Sequence, residues 1–412
     1  MKNENLKIFE LISPKYERDN INLGLSRIKK ALQELGNPCK NIPAIQIIGT
    51  NGKGSIAAYL ESILFEAKSN FGVTTSPHLF DVCERIRVNK KNINETDFEK
   101  IYRLIEEKFS TFELTPFEKI ICCALNYFDH KKVELLILEA GLGGRLDATT
   151  AHKFRPIIAI GNIGLDHKEF LGDTIEKIAE EKLAVIQKNS IVISCKQNNQ
   201  VENLITKKVK EVGAEIIWKD SISNSYELGL KGIFQKQNAS VAVGAIEALN
   251  NLGFNIKEKH ISEGLKKTTW NGRLEIIKYF NKEILVDCAH NYPAAKALSH
   301  ERSNWENEDK GIYWILGVQR QKDFYTIIKT LLKKNDHLLL VPVPNQPSWQ
   351  LKDLSKIKEF DLQKTIEFKT FELAIDYLFS LEKWPPNHPV LTGSIFLVAE
   401  FIKFANNRNV KY

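Results

Sequence analysis

An α/β fold of two domains, each built on a largely parallel sheet, is what the 412-residue chain predicts. Three observations lead there. Short apolar runs alternate with stretches of helical periodicity; the alternation begins afresh after Arg273; and the length exceeds what one hydrophobic core usually supports.

The opening helical segment carries LGLSRIKKALQEL and stops at Gly36-Asn37-Pro38. A short apolar run, Ala44 to Ile48, then leads into Gly49-Thr50-Asn51-Gly52-Lys53-Gly54-Ser55, after which Ile56, Ala57, Leu60, Ile63 and Leu64 share one helical face. This is a strand, a glycine loop and a helix. Apolar runs at Val133–Leu138 and Ile157–Ile160 repeat the strand pattern. Beyond Arg273, further short runs (284–287, 312–316, 338–343 and 390–392) predict a second, smaller sheet, with the boundary near Trp270–Glu275.

Composition narrows the function classes. With 43% hydrophobic and 26% charged residues, and only 13 Pro and 22 Gly, little room is left for disorder. The net charge of +7 comes from 58 basic and 51 acidic residues that are interspersed. That argues against nucleic-acid binding and suits small anionic substrates. Six cysteines without paired or zinc-finger spacing predict a reduced, cytoplasmic protein. The amino-terminal residues lack a long apolar core, and no run of about 18 apolar residues predicts a membrane span.

The loop 49–55 offers what a polyphosphate needs: glycines that let backbone N–H groups approach, the Lys53 charge, the Ser55 hydroxyl for magnesium, and a helix N-terminus. It departs from the strict Walker pattern, because Ile47 stands where the first Gly belongs and Gly54 separates Lys53 from Ser55. A plain glycine-rich turn is the alternative. Glu139, opening Glu139-Ala140-Gly141-Leu142-Gly143-Gly144-Arg145-Leu146-Asp147 after a strand, reads either as a hard-cation ligand or as a loop cap. Asp166-His167, beyond another strand, reads as structural or as metal-binding. Lys182 falls on the apolar stripe of a helix expected over Asp173–Lys188, with Asp173 and Glu176 in capping-box spacing. Its amine either snorkels to water or is chemically altered. Only 11 of the 58 basic residues are Arg, so Arg85, Arg87, Arg145 and Arg273, beside these motifs, are expected to hold anions bidentately.

As an ordered set these strings resemble the folylpolyglutamate synthase branch of the Mur ligase superfamily, from about Leu23 to Ser394. The matching segments include GTNGKGS, Thr75-Ser76-Pro77-His78-Leu79, Thr115-Pro116-Phe117-Glu118, EAGLGGRLDAT, Asp166-His167, Glu181-Lys182, Asn238-Ala239, Gly272-Arg273-Leu274-Glu275, Asp287 and Thr392-Gly393-Ser394. The resemblance implies a P-loop, Mur-ligase-type ATP- and folate-binding domain over residues 1–274 and a Rossmann-like glutamate-ligase domain over 275–412. It further implies an ATP- and magnesium-dependent ligase, working as a monomer, that joins L-glutamate to dihydropteroate or a reduced folate through an acyl phosphate. A peptidoglycan-precursor ligase and a non-catalytic nucleotide-binding module are the rival readings. By the same resemblance Asn51, Gly52, Lys53 and Gly54 hold ATP with Asn238, Arg273 and Asp287. Ser76, Glu139 and His167 bind metal together with a carbamylated Lys182. Leu23, Gly24, Leu25, Thr115, Pro116, Phe117, Glu118 and Asp147 meet the pteridine, and His290, Asn291 and Ser394 lie on the glutamate side. Thr150, Leu183-Ala184, Phe234 and Cys288 depart from the family's usual residues and bear on local packing.

Overall fold

The computed structural model describes residues 21–305, 310–354 and 364–409. They form two compact units, Met1–Gly229 with Phe234–Trp270, and Leu230–Ile233 with Asn271–Tyr412.

The first unit carries the strands β1 (Ala44–Ile48), β2 (Phe71–Thr74), β3 (Ile86–Val88), β4 (Lys91–Asn92), β5 (Leu135–Glu139), β6 (Ile157–Ile160), β7 (Ile191–Cys195) and β8 (Glu215–Lys219). They line up in the order β4-β3-β2-β5-β1-β6-β7-β8. Every pairing from β2 to β8 is parallel, and β3 and β4 add an antiparallel edge. The central strands β1, β5 and β6 are buried along their whole length. That burial on both faces explains why these strands are apolar apart from Gln46 in β1 and the terminal Glu139 of β5. The helix Lys53–Glu66 is buried from Ser55 to Leu64, so it sits as a core helix rather than an amphipathic one.

The helix bearing Lys182 runs over Ile175–Leu183, shorter than the expected Asp173–Lys188. Thr174, not Asp173, is its cap, accepting from Lys177 N, while Asp173 pairs with the Lys177 amine in solvent. After Leu183 the chain tightens, with Ile186 N donating to Leu183 O, and turns Val185 and Ile186 into the core.

The second unit holds β9 (Glu275–Tyr279), β10 (Lys282–Val286), β11 (Tyr313–Leu316), β12 (His337–Leu340), β13 (Thr365–Glu367) and β14 (Val390–Thr392) in the order β13-β12-β11-β14-β10-β9. Only the β9–β10 hairpin is antiparallel. Among the described residues no helix is long and apolar enough to cross a membrane. All six cysteines are buried and free of disulfides.

Candidate active site

Ligands of open α/β sheets gather beyond the carboxyl ends of the strands. In the first unit β2, β5, β1 and β6 are neighbours, and each runs into a segment singled out by its sequence: Thr75-Ser76, Glu139, the loop 49–52, and Asp166-His167. Parallel pairing brings the four strand ends to one edge.

The glycine loop is fixed by backbone geometry. Gly49 (φ +143) and Gly52 (φ +87) adopt conformations that L side chains avoid. A Cβ on Gly49 would press on the Gly161 backbone at 3.1 Å, and one on Gly52 would collide with the Asn238 amide. Thr50 N and Asn51 N donate to Asn162 O at 2.7 and 3.1 Å. The amine of Lys53 folds back to Gly49 O (3.1 Å) and Thr50 O (3.3 Å). Behind the loop, the Gln235 amide donates to Ser55 Oγ at 3.2 Å and accepts from Asn238 Nδ2 at 2.9 Å.

Lys182 reaches the same loop. Buried at 5% exposure, its Nζ donates to Gly49 O at 2.9 Å. Two lysine amines thus share one carbonyl. Burial, then the nearby Lys53 charge, lower the Lys182 pKa from 10.5 to about 7 against the pull of Asp166 and Asp147. The charge of Lys53 at this loop favours an anion there.

On the neighbouring strand ends, Ser76 N donates to Glu139 Oε2 at 3.1 Å, while the buried Ser76 Oγ has no hydrogen-bond partner. An orphaned buried hydroxyl costs free energy unless a ligand completes it. His167 starts a short helix in the left-handed region (φ 50), its N–H bonded to Asp166 Oδ1 and its Nε2 3.8 Å from Asp166 Oδ2. Hydroxyl, carboxylate and imidazole are a donor set that fits a divalent cation. Among the described residues no three His, Cys, Asp or Glu side chains gather tightly enough to hold a metal by themselves, so other oxygens such as that of Ser76 would have to complete the set.

The segments expected to meet the pteridine come together as well. Leu25 and Phe117 pack on the core cluster that contains Leu114 and Ala148, and the Phe117 ring covers Gly141, where a Cβ would lie 2.8 Å from it. Leu23 and Gly24 precede the helix Ser26–Glu34. From that helix Arg27 Nε reaches the buried Glu118 Oε2 (3.1 Å), and Thr115 and Glu118 cap the helix Pro116–His130 reciprocally. Glu118 Oε1 is left buried without a partner. Asp147 is otherwise engaged. Its oxygens accept from Leu142 N (2.9 Å), Thr149 N (3.0 Å) and the Thr149 hydroxyl (2.5 Å), and burial raises its pKa against those bonds. It first holds the loop 139–149 in shape.

All four noted arginines have partners within the protein, Arg273 among them through Gly272 O. Arg87 grips the buried Glu61 carboxylate (Nη2–Oε2 2.9 Å) and the Thr75 hydroxyl (2.8 Å), Arg85 donates to His78 Nδ1 at 2.9 Å, and the exposed Arg145 pairs with Glu181. Sequence spacing gave no sign of the Glu61 partner, although a glutamate inside an apolar helix was a visible anomaly. Gln46 is a second case: at the middle of buried β1, it donates to the Thr149 and Thr150 hydroxyls at 3.0 and 2.8 Å.

In the second unit the expected residues lie on two adjacent strand ends. Asp287, just beyond β10, accepts from Leu274 N (3.1 Å) and Ala289 N (2.9 Å). Burial raises its pKa against the charge of Arg273, whose Nη1 donates to Gly272 O. His290 Nδ1 donates to Cys288 O (2.8 Å), and Asn291 caps the helix Tyr292–Arg302. Ser394 follows β14, parallel to β10, and its hydroxyl accepts from Phe396 N.

A parallel sheet whose central strand enters a glycine loop and a buried helix, with two amines at the loop carbonyl, defines an α/β nucleotide-binding enzyme. Comparison sharpens that class. Residues 273–404 match the family described as dihydrofolate synthetase, C-terminal domain. The probable dihydrofolate synthetase of Schizosaccharomyces pombe is 31% identical, over 93% of this chain and 98% of its own. The dihydrofolate synthase/folylpolyglutamate synthase of Buchnera aphidicola from Acyrthosiphon pisum is also 31% identical, over 92% and 93%. E. coli FolC, solved in complex with DHPP and ADP, superimposes with a TM-score of 0.86 at 25% identity, covering 98% of both chains. The chain belongs to the dihydrofolate synthase/folylpolyglutamate synthase family of ligases.

Proposed function

We infer that the protein is an ATP-dependent ligase that forms an amide between L-glutamate and a folate-type carboxylate, with dihydropteroate as one acceptor. The observation that carries this reading is the meeting of Lys53 and Lys182 at Gly49 O, one strand away from the carboxylate of Glu139 and two from the unpartnered Ser76 hydroxyl. The relative solved with ADP and DHPP is bound to both kinds of ligand that such a reaction needs.

The acceptor carboxylate attacks the γ-phosphorus of ATP, ADP leaves, and an acyl phosphate forms. The glutamate amine then attacks the acyl carbon, and the tetrahedral intermediate collapses by expelling phosphate while the nitrogen loses a proton. Lys53 and the loop amides offset phosphate charge as it shifts to the leaving oxygen. Leu25, Phe117 and the Glu118 carboxylate form an apolar wall with one acceptor, suited to a flat ring that carries N–H donors. Arg273, Asp287 and Asn238 serve the nucleotide, and His290, Asn291 and Ser394 the incoming amino acid. This assigns folate and the ATP phosphate loop to residues 1–274, and glutamate together with the Asp287 nucleotide contact to 275–412.

A magnesium ion held by Ser76, Glu139 and His167 would neutralise phosphate charge and orient the γ-phosphoryl group. Lys182 joins this set as a carbamate. Its neutral amine, supplied by burial, adds to carbon dioxide with loss of a proton and so exchanges a cation for an anion beside the metal. The reduced cysteines fit a cytoplasmic enzyme, and it acts as a monomer.

The reading is tested by ADP release from the purified protein with dihydropteroate and with tetrahydrofolate, each with and without glutamate. ADP that depends on an acceptor and glutamate together supports it; release indifferent to both would reduce the chain to a nucleotide-binding module. Activity with dihydropteroate alone would identify a dihydrofolate synthase, and activity with both acceptors a bifunctional enzyme.

A further inference from the structure

The phosphate loop and the turn leading to His167 are separate excursions from neighbouring strands β1 and β6, and nothing in either chain segment alone fixes their spacing. Backbone contacts begin the zip: Gly161 N donates to Ile48 O (2.8 Å), and Asn162 O receives Thr50 N and Asn51 N. One step further out, a side chain takes over. The Thr50 hydroxyl donates to Gly164 O at 2.9 Å and accepts from Gly164 N at 3.0 Å. A single Oγ thus mimics a strand partner, satisfying both main-chain groups of one residue. Thr50 is three residues from Lys53, whose amine returns to the Thr50 carbonyl, and Gly164 is three residues from His167.

We propose that Thr50 is a positioning residue that sets the distance between the phosphate-binding amine of Lys53 and the metal-binding imidazole of His167, so that one cation can touch both the nucleotide and the β6 turn. This rests on the metal site proposed above. Each loop keeps its own shape without the hydroxyl: the first through the Gly49 and Gly52 conformations, the second through the Asp166 bond to His167 N and the bonds of Gln197 to Gly161 O and Ile163 N. Loss of the hydroxyl therefore leaves both loops formed and joined at Asn162, and loosens the turn from Gly164 to His167 against the phosphate loop. Binding that uses one loop is spared, and binding that bridges the two is not.

The test compares wild type with Thr50→Val, which removes both bonds at nearly constant volume, and Thr50→Ser, which keeps them. Binding of ADP without metal is measured by calorimetry, and binding of Mn²⁺ in the presence of ADP by electron paramagnetic resonance. Partners that orient metal ligands typically change metal affinity by about 10–100-fold. We expect a loss of that order in Mn²⁺ affinity for Thr50→Val, unchanged metal-free ADP binding, and recovery in Thr50→Ser. Equal weakening of both bindings, wild-type Mn²⁺ affinity in Thr50→Val, no recovery by serine, or failure of Thr50→Val to fold would each overturn the positioning role. A wild-type protein that binds ADP but no Mn²⁺ would instead overturn the metal site itself.

Discussion

Lys182 makes the protein less stable than it need be, and the size of that burden is measurable. Its amine is charged in the unfolded chain at any pH below about 10.5, whereas burial beside Lys53 lowers the folded value to about 7. At ~1.36 kcal/mol per tenfold change in proton affinity, the difference corresponds to about 5 kcal/mol. Between pH 7 and 10.5 the unfolded chain binds more protons than the folded one, so stability rises with pH across that window. Below pH 7 the burden is constant, and above 10.5 it is gone. Lys182→Met removes the titrating group. It also removes one donor to Gly49 O, but the Lys53 amine still serves that carbonyl, so the loss stays near the low end of about 1–3 kcal/mol. The variant is therefore expected to be more stable than wild type by roughly 3–4 kcal/mol near pH 7 and no more stable by pH 10. The assay is urea unfolding of metal-free protein in carbon-dioxide-depleted buffer, followed by circular dichroism and fitted to two steps, since a two-unit chain need not unfold in one. A stability difference that does not change between pH 7 and 10 would refute the reasoning, and so would a variant less stable than wild type throughout.

Other expectations follow from the same contacts. Lys53→Ala should lower kcat/KM by about 10²–10³, the usual effect of losing one electrostatic contact to a transition state, and half-retained activity would remove the loop from the mechanism. Ser76→Ala deletes a buried hydroxyl that has no partner, so metal-free melting should hold steady or rise while Mn²⁺ binding weakens; a clear drop in Tm would contradict this. Arg87→Met should cost about 3–5 kcal/mol by leaving Glu61 buried and unpaired, and Glu61→Leu combined with it should recover most of that loss; additive losses in urea titrations would argue against a closed pair. Asp147→Ala should lower stability by about 1–3 kcal/mol and weaken both acceptors alike, because its bonds shape the loop; damage confined to dihydropteroate would restore a direct pteridine contact.

The strands that carry the site were readable because both of their faces are buried. Ala44–Ile48, apolar except for Gln46, and the wholly apolar Ile157–Ile160 have in the sequence the bounds the structure gives them. β4 (Lys91–Asn92), two exposed residues at the sheet edge, and the largely exposed β13 (Thr365–Glu367) show no such signal, since half-solvated edges need no apolar pattern. The phosphate loop was legible for a local reason: its glycines answer to backbone geometry within four residues. Partners distant in sequence were not. Nothing near Arg87 announces Glu61, 26 residues away, and nothing near Gln46 announces Thr149 and Thr150, more than 100 residues on. Asp147 shows the limit most plainly, because nothing beside it in sequence announces the bonds that its carboxylate accepts from Leu142 N, Thr149 N and the Thr149 hydroxyl.

The chemistry at the centre of this account, transfer of a carboxylate oxygen to phosphate through an acyl phosphate, is open to one direct measurement. Dihydropteroate carrying heavy-isotope oxygen in its carboxylate is turned over with ATP, magnesium and glutamate, and the released phosphate is examined by mass spectrometry. One labelled oxygen should appear in phosphate for each amide formed. Amide product accompanied by unlabelled phosphate would contradict the mechanism.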